Sequence, residues 1–131
     1  MTPRLLLALG MLLCLRAEAS VENCLRFNSE SKLIEALEQL VPLETKLQDA
    51  REAVQKRCST ANVSQHIYED GPLKYSKNGD ILYVYSWLRV SEGPYRFVRG
   101  LFLETHTEAT VLFGEEGRAV GYEAKFYIDS L

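Results

Sequence analysis

The sequence predicts a small α+β protein in which helices are followed by an antiparallel sheet. Three observations lead to this class. Apolar residues recur at helical spacing before residue 58, β-branched and aromatic residues alternate after residue 71, and glycine-containing turns separate the later runs. We therefore expect an N-terminal amphipathic helix or helical hairpin, packed on one face of a five-stranded antiparallel meander sheet.

The first 19 residues have the organisation of a secretory signal peptide. Arg4 supplies a positive charge, residues 5–15 form an apolar run, and Ala17-Glu18-Ala19 places small residues at the two positions that signal peptidase recognises. The run is too short to cross a bilayer, which takes roughly 20 apolar residues. We expect cleavage after Ala19 and a secreted, extracellular chain without a membrane span.

Residues 20–131 have the size of a single domain. We divide them into a helical part (20–58), a linker (59–71) and a β-meander (72–131). Loss of residues 1–19 would leave 13 basic and 17 acidic side chains, a formal charge of −4. The sequence has no basic patch typical of nucleic-acid binding, so we expect no nucleic-acid partner.

The helical part carries an amphipathic stripe. Its apolar residues are spaced by three, four and seven positions, and they are Leu33, Leu37, Leu40, Leu47, Ala50 and Val54. Ser29 or Ser31 can cap the start of the helix. Pro42 interrupts the stripe, because proline in a helix interior costs about 3 kcal/mol.

Cys24 and Cys58 remain after signal cleavage, and a disulfide is expected in an oxidising compartment. A straight helix over 29–57 would be about 43 Å long, too long for a bond between its two ends within one chain. Two models stay open. Either the chain reverses near Pro42 and an intrachain disulfide closes a helical hairpin, or the helix is kinked and the cysteines pair between chains.

The linker contains a glycosylation sequon, Asn62-Val63-Ser64. It lies shortly after Cys58, in a segment without apolar periodicity. We therefore predict an N-linked glycan on Asn62.

The second half predicts strands at 73–76, 81–90, 95–105, 109–113 and 119–128. The turns between them are Asn78-Gly79, a strong hairpin signal, then Glu92-Gly93, a link around His106, and residues 114–117. Centring the strands on these turns gives a trial register. It pairs Leu73 with Val84, Tyr75 with Leu82, Leu88 with Phe97, Leu103 with Val111, and Val111 with Val120.

This register separates two faces of the sheet. The face expected to pack against the helices carries Leu73, Tyr75, Leu82, Val84, Leu88, Val90, Phe97, Leu101, Leu103, Val111, Phe113, Val120, Tyr122, Phe126 and Ile128. The other face carries an aromatic patch of Tyr83, Tyr85, Trp87, Val98, Phe102 and Leu112, with Arg89, Arg96, Thr110 and Glu104 at its rim. Such a patch marks an interaction surface or a pocket. The alternative is a curled or covered sheet, in which these side chains form a second small core.

The sequence contains no recognisable catalytic motif. His66 and His106 fall in predicted loops without a partner at metal-ligand spacing, and no nucleophile elbow, phosphate loop or dinucleotide fingerprint occurs. We predict no catalytic residue, metal or cofactor.

Three function classes follow from this reading. The first is a secreted, non-enzymatic binding protein that uses the aromatic patch to bind a protein partner or a second copy of itself. The second is a carrier of a small apolar ligand, held in a pocket under a curved sheet. The third is an enzyme, which only the possible pocket would favour. We prefer the first.

Overall fold

A computed structural model of the protein describes residues 24–27, 29–95 and 103–130. Within these residues two helices precede six strands, which confirms the α+β class. The helices are α1 (Glu30–Leu40) and α2 (Leu47–Arg57), and the strands are β1 (Asn62–Ile67), β2 (Leu73–Lys77), β3 (Asp80–Val84), β4 (Ser86–Tyr95), β5 (Leu103–Phe113) and β6 (Ala119–Ser130). A four-stranded sheet has the order β1-β4-β5-β6, and β2 and β3 form a separate two-stranded sheet. The predicted five-stranded meander is therefore wrong in its detail.

The two helices form a hairpin closed by a disulfide. The Ser29 side chain caps α1 by accepting a hydrogen bond from the backbone N–H of Lys32. The chain then reverses after Pro42 with Glu44 in the left-handed region, at a φ of 73°. Cys24 and Cys58 are bonded within the chain, with their Cα atoms 5.4 Å apart. The helical hairpin is thus confirmed, and the kinked helix with interchain pairing is wrong.

One face of the four-stranded sheet packs against both helices. The helices contribute fully or nearly fully buried leucine, alanine and valine side chains, and the sheet contributes the facing residues Leu88, Val90, Ala109, Val111, Phe113 and Tyr122. α1 lies mainly over β6 and β5, and α2 lies over β4 and β1. This apolar layer is the main core, and the sequence placed most of its sheet residues on the correct face.

A buried carboxylate ties the disulfide region to the sheet. Glu92 Oε2 accepts the backbone N–H of Leu25 at 2.9 Å, and Glu92 Oε1 accepts the hydroxyl of Thr60 at 2.6 Å. Leu25 follows Cys24, and Thr60 lies two residues after Cys58. Glu92 therefore holds both segments that flank the disulfide against β4.

Two of the predicted turns are wrong, because the structure places their residues inside strands. β4 continues through Glu92-Gly93 to Tyr95, because Glu92 stays in the sheet through its buried hydrogen bonds. β5 likewise continues through His106 from Leu103 to Phe113.

Because these two turns are absent, the strand pairing differs from the predicted register. Leu88 pairs with Val111 rather than Phe97, Leu103 with Ser130 rather than Val111, and Val111 with Tyr122 rather than Val120. The predicted hairpin at Asn78-Gly79 is confirmed, with positive φ at both residues and with Tyr75 opposite Leu82 and Leu73 opposite Val84.

Strands β3 and β4 follow each other along the chain and are separated only by Tyr85. Strands β1 and β2 both pair with this stretch, β1 with β4 and β2 with β3. Ile67 pairs with Ser86, the Tyr68 N–H donates to the Tyr85 carbonyl at 2.9 Å, and Leu73 pairs with Val84. Residues 69–72 therefore have no partner opposite them. We call residues 62–91 the ribbon and this four-residue insertion the bend, since extra residues on one strand bend a strand pair.

The β2–β3 half of the ribbon folds over the second face of the four-stranded sheet. A Cβ atom on Gly121 would lie 3.1 Å from Leu82 Cδ2, so the two residues are in close contact. Leu112, the partner of Gly121 in β5, is buried beneath this half of the ribbon. The predicted strand at 81–90 is consequently divided at Tyr85 between two sheets. The order of layers is helices, four-stranded sheet, β2–β3 hairpin.

Candidate functional site

The residues of the predicted aromatic patch do not share one face. Some belong to the four-stranded sheet, and others belong to the β2–β3 hairpin that covers it. Leu112 is buried under the hairpin, while Trp87 and Arg89 are half-buried on the second face of the sheet. Tyr85 is half-buried at the bend, and Tyr83 is exposed on the outer side of the hairpin. The remaining predicted residues, Arg96, Val98 and Phe102, lie outside the described residues, as does the side chain of Glu104.

Trp87 is the centre of an aromatic cluster on the second face. Its indole N–H donates a hydrogen bond of 3.1 Å to the Tyr68 hydroxyl. The His66 ring stacks on Trp87 with centroids 5.6 Å apart, and it meets the Tyr68 ring edge-on at 4.8 Å. The register explains this contact, because His66 of β1 lies directly opposite Trp87 of β4. His66 was predicted in a loop and was therefore missed.

Arg89 connects the aromatic cluster to β5. Its guanidinium carbon lies 4.2 Å from the centre of the Trp87 ring, a cation–π geometry. Arg89 Nε forms an ion pair of 2.5 Å with Glu108 and donates a hydrogen bond of 3.2 Å to the Thr110 hydroxyl. Because Glu108 already balances its charge, Arg89 is poorly suited to hold an anionic ligand.

Two tyrosines at this face have altered acidity. Burial and the nearby Glu123 carboxylate raise the pKa of the Tyr75 phenol, and its hydrogen bond with Tyr68 contributes in the same direction. The pKa of Tyr127 is raised chiefly by its hydrogen bond to Glu108. The raised pKa values mean that the surroundings of both phenols favour the protonated form, which can donate a hydrogen bond.

Four of the six large apolar side chains that are exposed among the described residues lie on the ribbon. Ile67, Leu73, Ile81 and Tyr83 expose between 44% and 57% of their surface. We call these four residues the ribbon surface. Ile81 and Tyr83 share one side of β3, opposite the inward Leu82. Leu73 pairs with Val84 and therefore belongs to the other side of the hairpin, where it is exposed beside the bend. Ile67 is exposed at the end of β1, before the bend.

An open depression lies at the bend. It has a volume of about 610 Å³ and is lined by residues 65–71, which include Glu69 and Asp70. The carboxylates give this depression an acidic border beside the apolar ribbon surface.

Of the ribbon surface, sequence reasoning identified only Tyr83 as a binding residue. It placed Leu73, Tyr75 and Leu82 on the face that packs against the helices, which is wrong, because they belong to the β2–β3 hairpin. Ile81 could have been found as well, because the confirmed Asn78-Gly79 turn places it on the same side as Tyr83. Ile67 could not, since it was assigned to the linker.

Among the described residues, no group of three or more histidine, cysteine or acidic side chains is arranged to hold a metal ion. In the same residues, no helix has the length and apolar character needed to cross a membrane. Comparison with protein-family models, curated proteins and solved structures finds no match for this chain.

Proposed function

We propose that this chain is a secreted, non-enzymatic binding protein that docks a protein partner on the ribbon surface. The observation that carries the proposal is the concentration of exposed apolar side chains on one structural unit. Exposed apolar residues gathered in one region of a protein are typical of interaction sites, and tyrosine is favoured at the centres of interfaces. Ile81 and Tyr83, which share one side of β3, are the pair on which the proposal chiefly rests. The opposite side of the protein supports this choice, since its apolar residues are already covered by the helices.

Secretion is supported by two independent features. Residues 1–19 have the pattern of a cleavable signal peptide. The Cys24–Cys58 disulfide is of a kind that persists in oxidising compartments and is rare in the cytosol.

The chemistry of the partner follows from the border of the ribbon surface. Glu69 and Asp70 adjoin Ile67 at the bend, and the chain without residues 1–19 would have a formal charge of −4. Complementary potentials favour encounter between protein surfaces. We therefore propose a partner with an apolar site flanked by basic side chains.

A paired set of variants tests the proposal. The double variant Ile81→Ser/Tyr83→Ser removes two ribbon-surface side chains, and Leu43→Ser is the control, because Leu43 is 57% exposed but lies in the helix reversal. Partners captured from extracellular fluid are purified, and the complex is rebuilt from the pure components for titration calorimetry. We expect at least a tenfold loss of affinity for the double variant, about 1.4 kcal/mol, and no change for Leu43→Ser.

The same variants decide between outcomes. Equal affinity of wild type and the double variant would contradict the proposed surface, provided that circular dichroism shows both to be folded. Concentration-dependent dimerisation that the double variant abolishes would identify the partner as a second copy of this chain. The depression at the bend is open and bordered by carboxylates, so it offers little enclosed surface to an apolar ligand, and we do not extend the proposal to a carrier.

A further inference from the structure

The two edges of the four-stranded sheet are protected differently. At the β6 edge, residues 44–47 pair with residues 117–119 and so cover the start of the strand, with backbone hydrogen bonds of 2.9 Å from Glu44 to Ala119, 2.9 Å from Ala119 to Thr45, and 3.0 Å from Leu47 to Gly117. At the opposite edge, β1 pairs with β4 on one side and has no strand on its other side among the described residues.

The residues of β1 themselves supply little of the usual chemical protection, although the Arg51 guanidinium of α2 donates a hydrogen bond of 2.7 Å to Gln65 Oε1. Exposed edges are commonly blunted by lysine or other charges, by proline or by a bulge within the strand, because unpaired backbone groups can pair with another chain. The strand reads Asn62-Val63-Ser64-Gln65-His66-Ile67 and contains no lysine, acidic residue or proline. Most of its residues are exposed, including both ends.

The sequon lies on this unprotected strand. Asn62 is the first residue of β1 and is exposed, and the hydroxyl-bearing Ser64 is exposed on the same side of the strand, two residues later. We propose that Asn62 carries an N-linked glycan whose function is to prevent the β1 strands of two copies from pairing edge to edge. This inference rests on the secretion proposed above.

The position of the glycan is compatible with partner binding. Asn62 precedes Ile67 by five residues, which corresponds to about 17 Å along an extended strand. The carbohydrate would therefore shield the start of the edge and leave the ribbon surface accessible. Edge protection and partner binding would then use opposite ends of β1.

Site occupancy is tested first, on the full chain expressed with residues 1–19 in a secretory animal cell line. Peptide mapping of the secreted protein is expected to find a glycan on Asn62 that glycosidase treatment removes, leaving aspartate. Secreted protein with unmodified Asn62 would overturn the inference alone. Protein retained in the cell with residues 1–19 attached would overturn the proposed secretion and the glycan together.

Edge protection is tested with three substitutions at one position. Ser64→Thr keeps the sequon, Ser64→Ala removes it and leaves a neutral edge, and Ser64→Glu removes it and adds a charge to the edge. Light scattering after size exclusion is expected to give a monomer for Ser64→Thr and Ser64→Glu, and a mass that rises toward two chains with concentration for Ser64→Ala. Ser64→Ala that stays monomeric would overturn the proposed function of the glycan.

Trimming the glycan on folded wild-type protein repeats the test without any substitution. Endoglycosidase treatment of protein made with high-mannose glycans leaves a single sugar on Asn62. The trimmed protein is expected to self-associate, and the mock-treated protein is not. Trimmed protein that remains a monomer would overturn the inference even if Ser64→Ala failed to fold.

Discussion

The two faces of the four-stranded sheet are built from alternate residues of the same strands, yet they are stabilised by different interactions. The helix-facing side presents Leu88, Val111 and Phe113, which are fully buried in an apolar layer. The side that faces the β2–β3 hairpin presents Trp87 and Arg89, which are half-buried and joined by hydrogen bonds, ring stacking and an ion pair.

The two faces therefore have different roles: one determines stability, and the other carries exposed residues. Burial of apolar area is the dominant favourable term in folding, so the helix-facing side should determine most of the free energy of unfolding. Half-exposed polar networks contribute less, because water competes for each group. The hairpin side can therefore carry exposed apolar residues while the helix side maintains the fold.

The largest expected effect comes from the disulfide, which lies on the helix side. Replacing Cys24 and Cys58 together by alanine opens a loop with a sequence separation of 34 residues. In the chain-entropy model this lowers the free energy of unfolding by about 4 kcal/mol. Urea denaturation followed by circular dichroism measures the change, and an unchanged midpoint would contradict the importance given to the helix side.

Neighbouring residues on opposite faces give the next test. Leu88→Ala should lower the free energy of unfolding by about 3 kcal/mol, because it leaves a cavity in the fully packed side. Trp87→Ala should cost about 1.5 kcal/mol despite its larger side chain, since its partners can be solvated again. If the two costs were equal, the proposed contrast between the faces would be wrong.

Contact between the hairpin and the sheet is tested at Gly121. Gly121→Val would press against Leu82, whose Cδ2 lies 3.1 Å from the Cβ position, and should cost about 2 kcal/mol. The fluorescence of Trp87, the one tryptophan of the chain, should change as the hairpin is displaced. Combining Gly121→Val with Leu82→Ala should restore part of the loss, and strict additivity of the two costs would exclude the contact.

The smallest effect concerns the tyrosines of the two faces. Burial is the main cause of the raised pKa of both tyrosines. Glu38 adds a smaller contribution at Tyr122 on the helix side, and Glu123 adds one at Tyr75 on the hairpin side. Glu123→Gln should therefore lower the pKa of Tyr75 and leave that of Tyr122 unchanged. Ultraviolet titration of Tyr75→Phe and Tyr122→Phe variants assigns each transition.

The sign of the pH dependence follows from linkage. Each of these phenols has a folded pKa above its unfolded value of 10.0. The stabilisation is complete below about pH 10 and is lost as the pH rises through the folded pKa. Stability that increased over this alkaline range would contradict the assignment.

The parts of the fold that were predicted correctly depend on residues that act on their immediate neighbours in the sequence. Ser29 marks the start of α1, Pro42 marks the reversal, and Asn78-Gly79 sets the β2–β3 register. The Glu92-Gly93 turn was wrong because the Glu92 carboxylate is held by a residue 67 positions away, which no local pattern reveals. β1 was missed because an exposed edge strand needs no apolar alternation.

The candidate site was predictable only in part, for a geometric reason. The patch assumed one continuous strand over residues 81–90, but the insertion at 69–72 bends the ribbon at Tyr85. The alternation of the sequence predicts that Tyr83 and Trp87 share one face. Tyr83 instead lies on the β2–β3 hairpin, and Trp87 lies on the four-stranded sheet. Sequence alternation defines a common face only while a strand remains in one sheet.

The insertion at the bend has a consequence for how the protein can change. Residues 69–72 occupy no position in the ladder, so their number can vary without shifting the pairing on either side. Exposed segments of this kind tolerate added residues. A foreign peptide spliced in after Asp70 would be presented beside Ile67 and Leu73 while both halves of the ribbon retained their register, which makes the bend a natural position for grafting recognition loops.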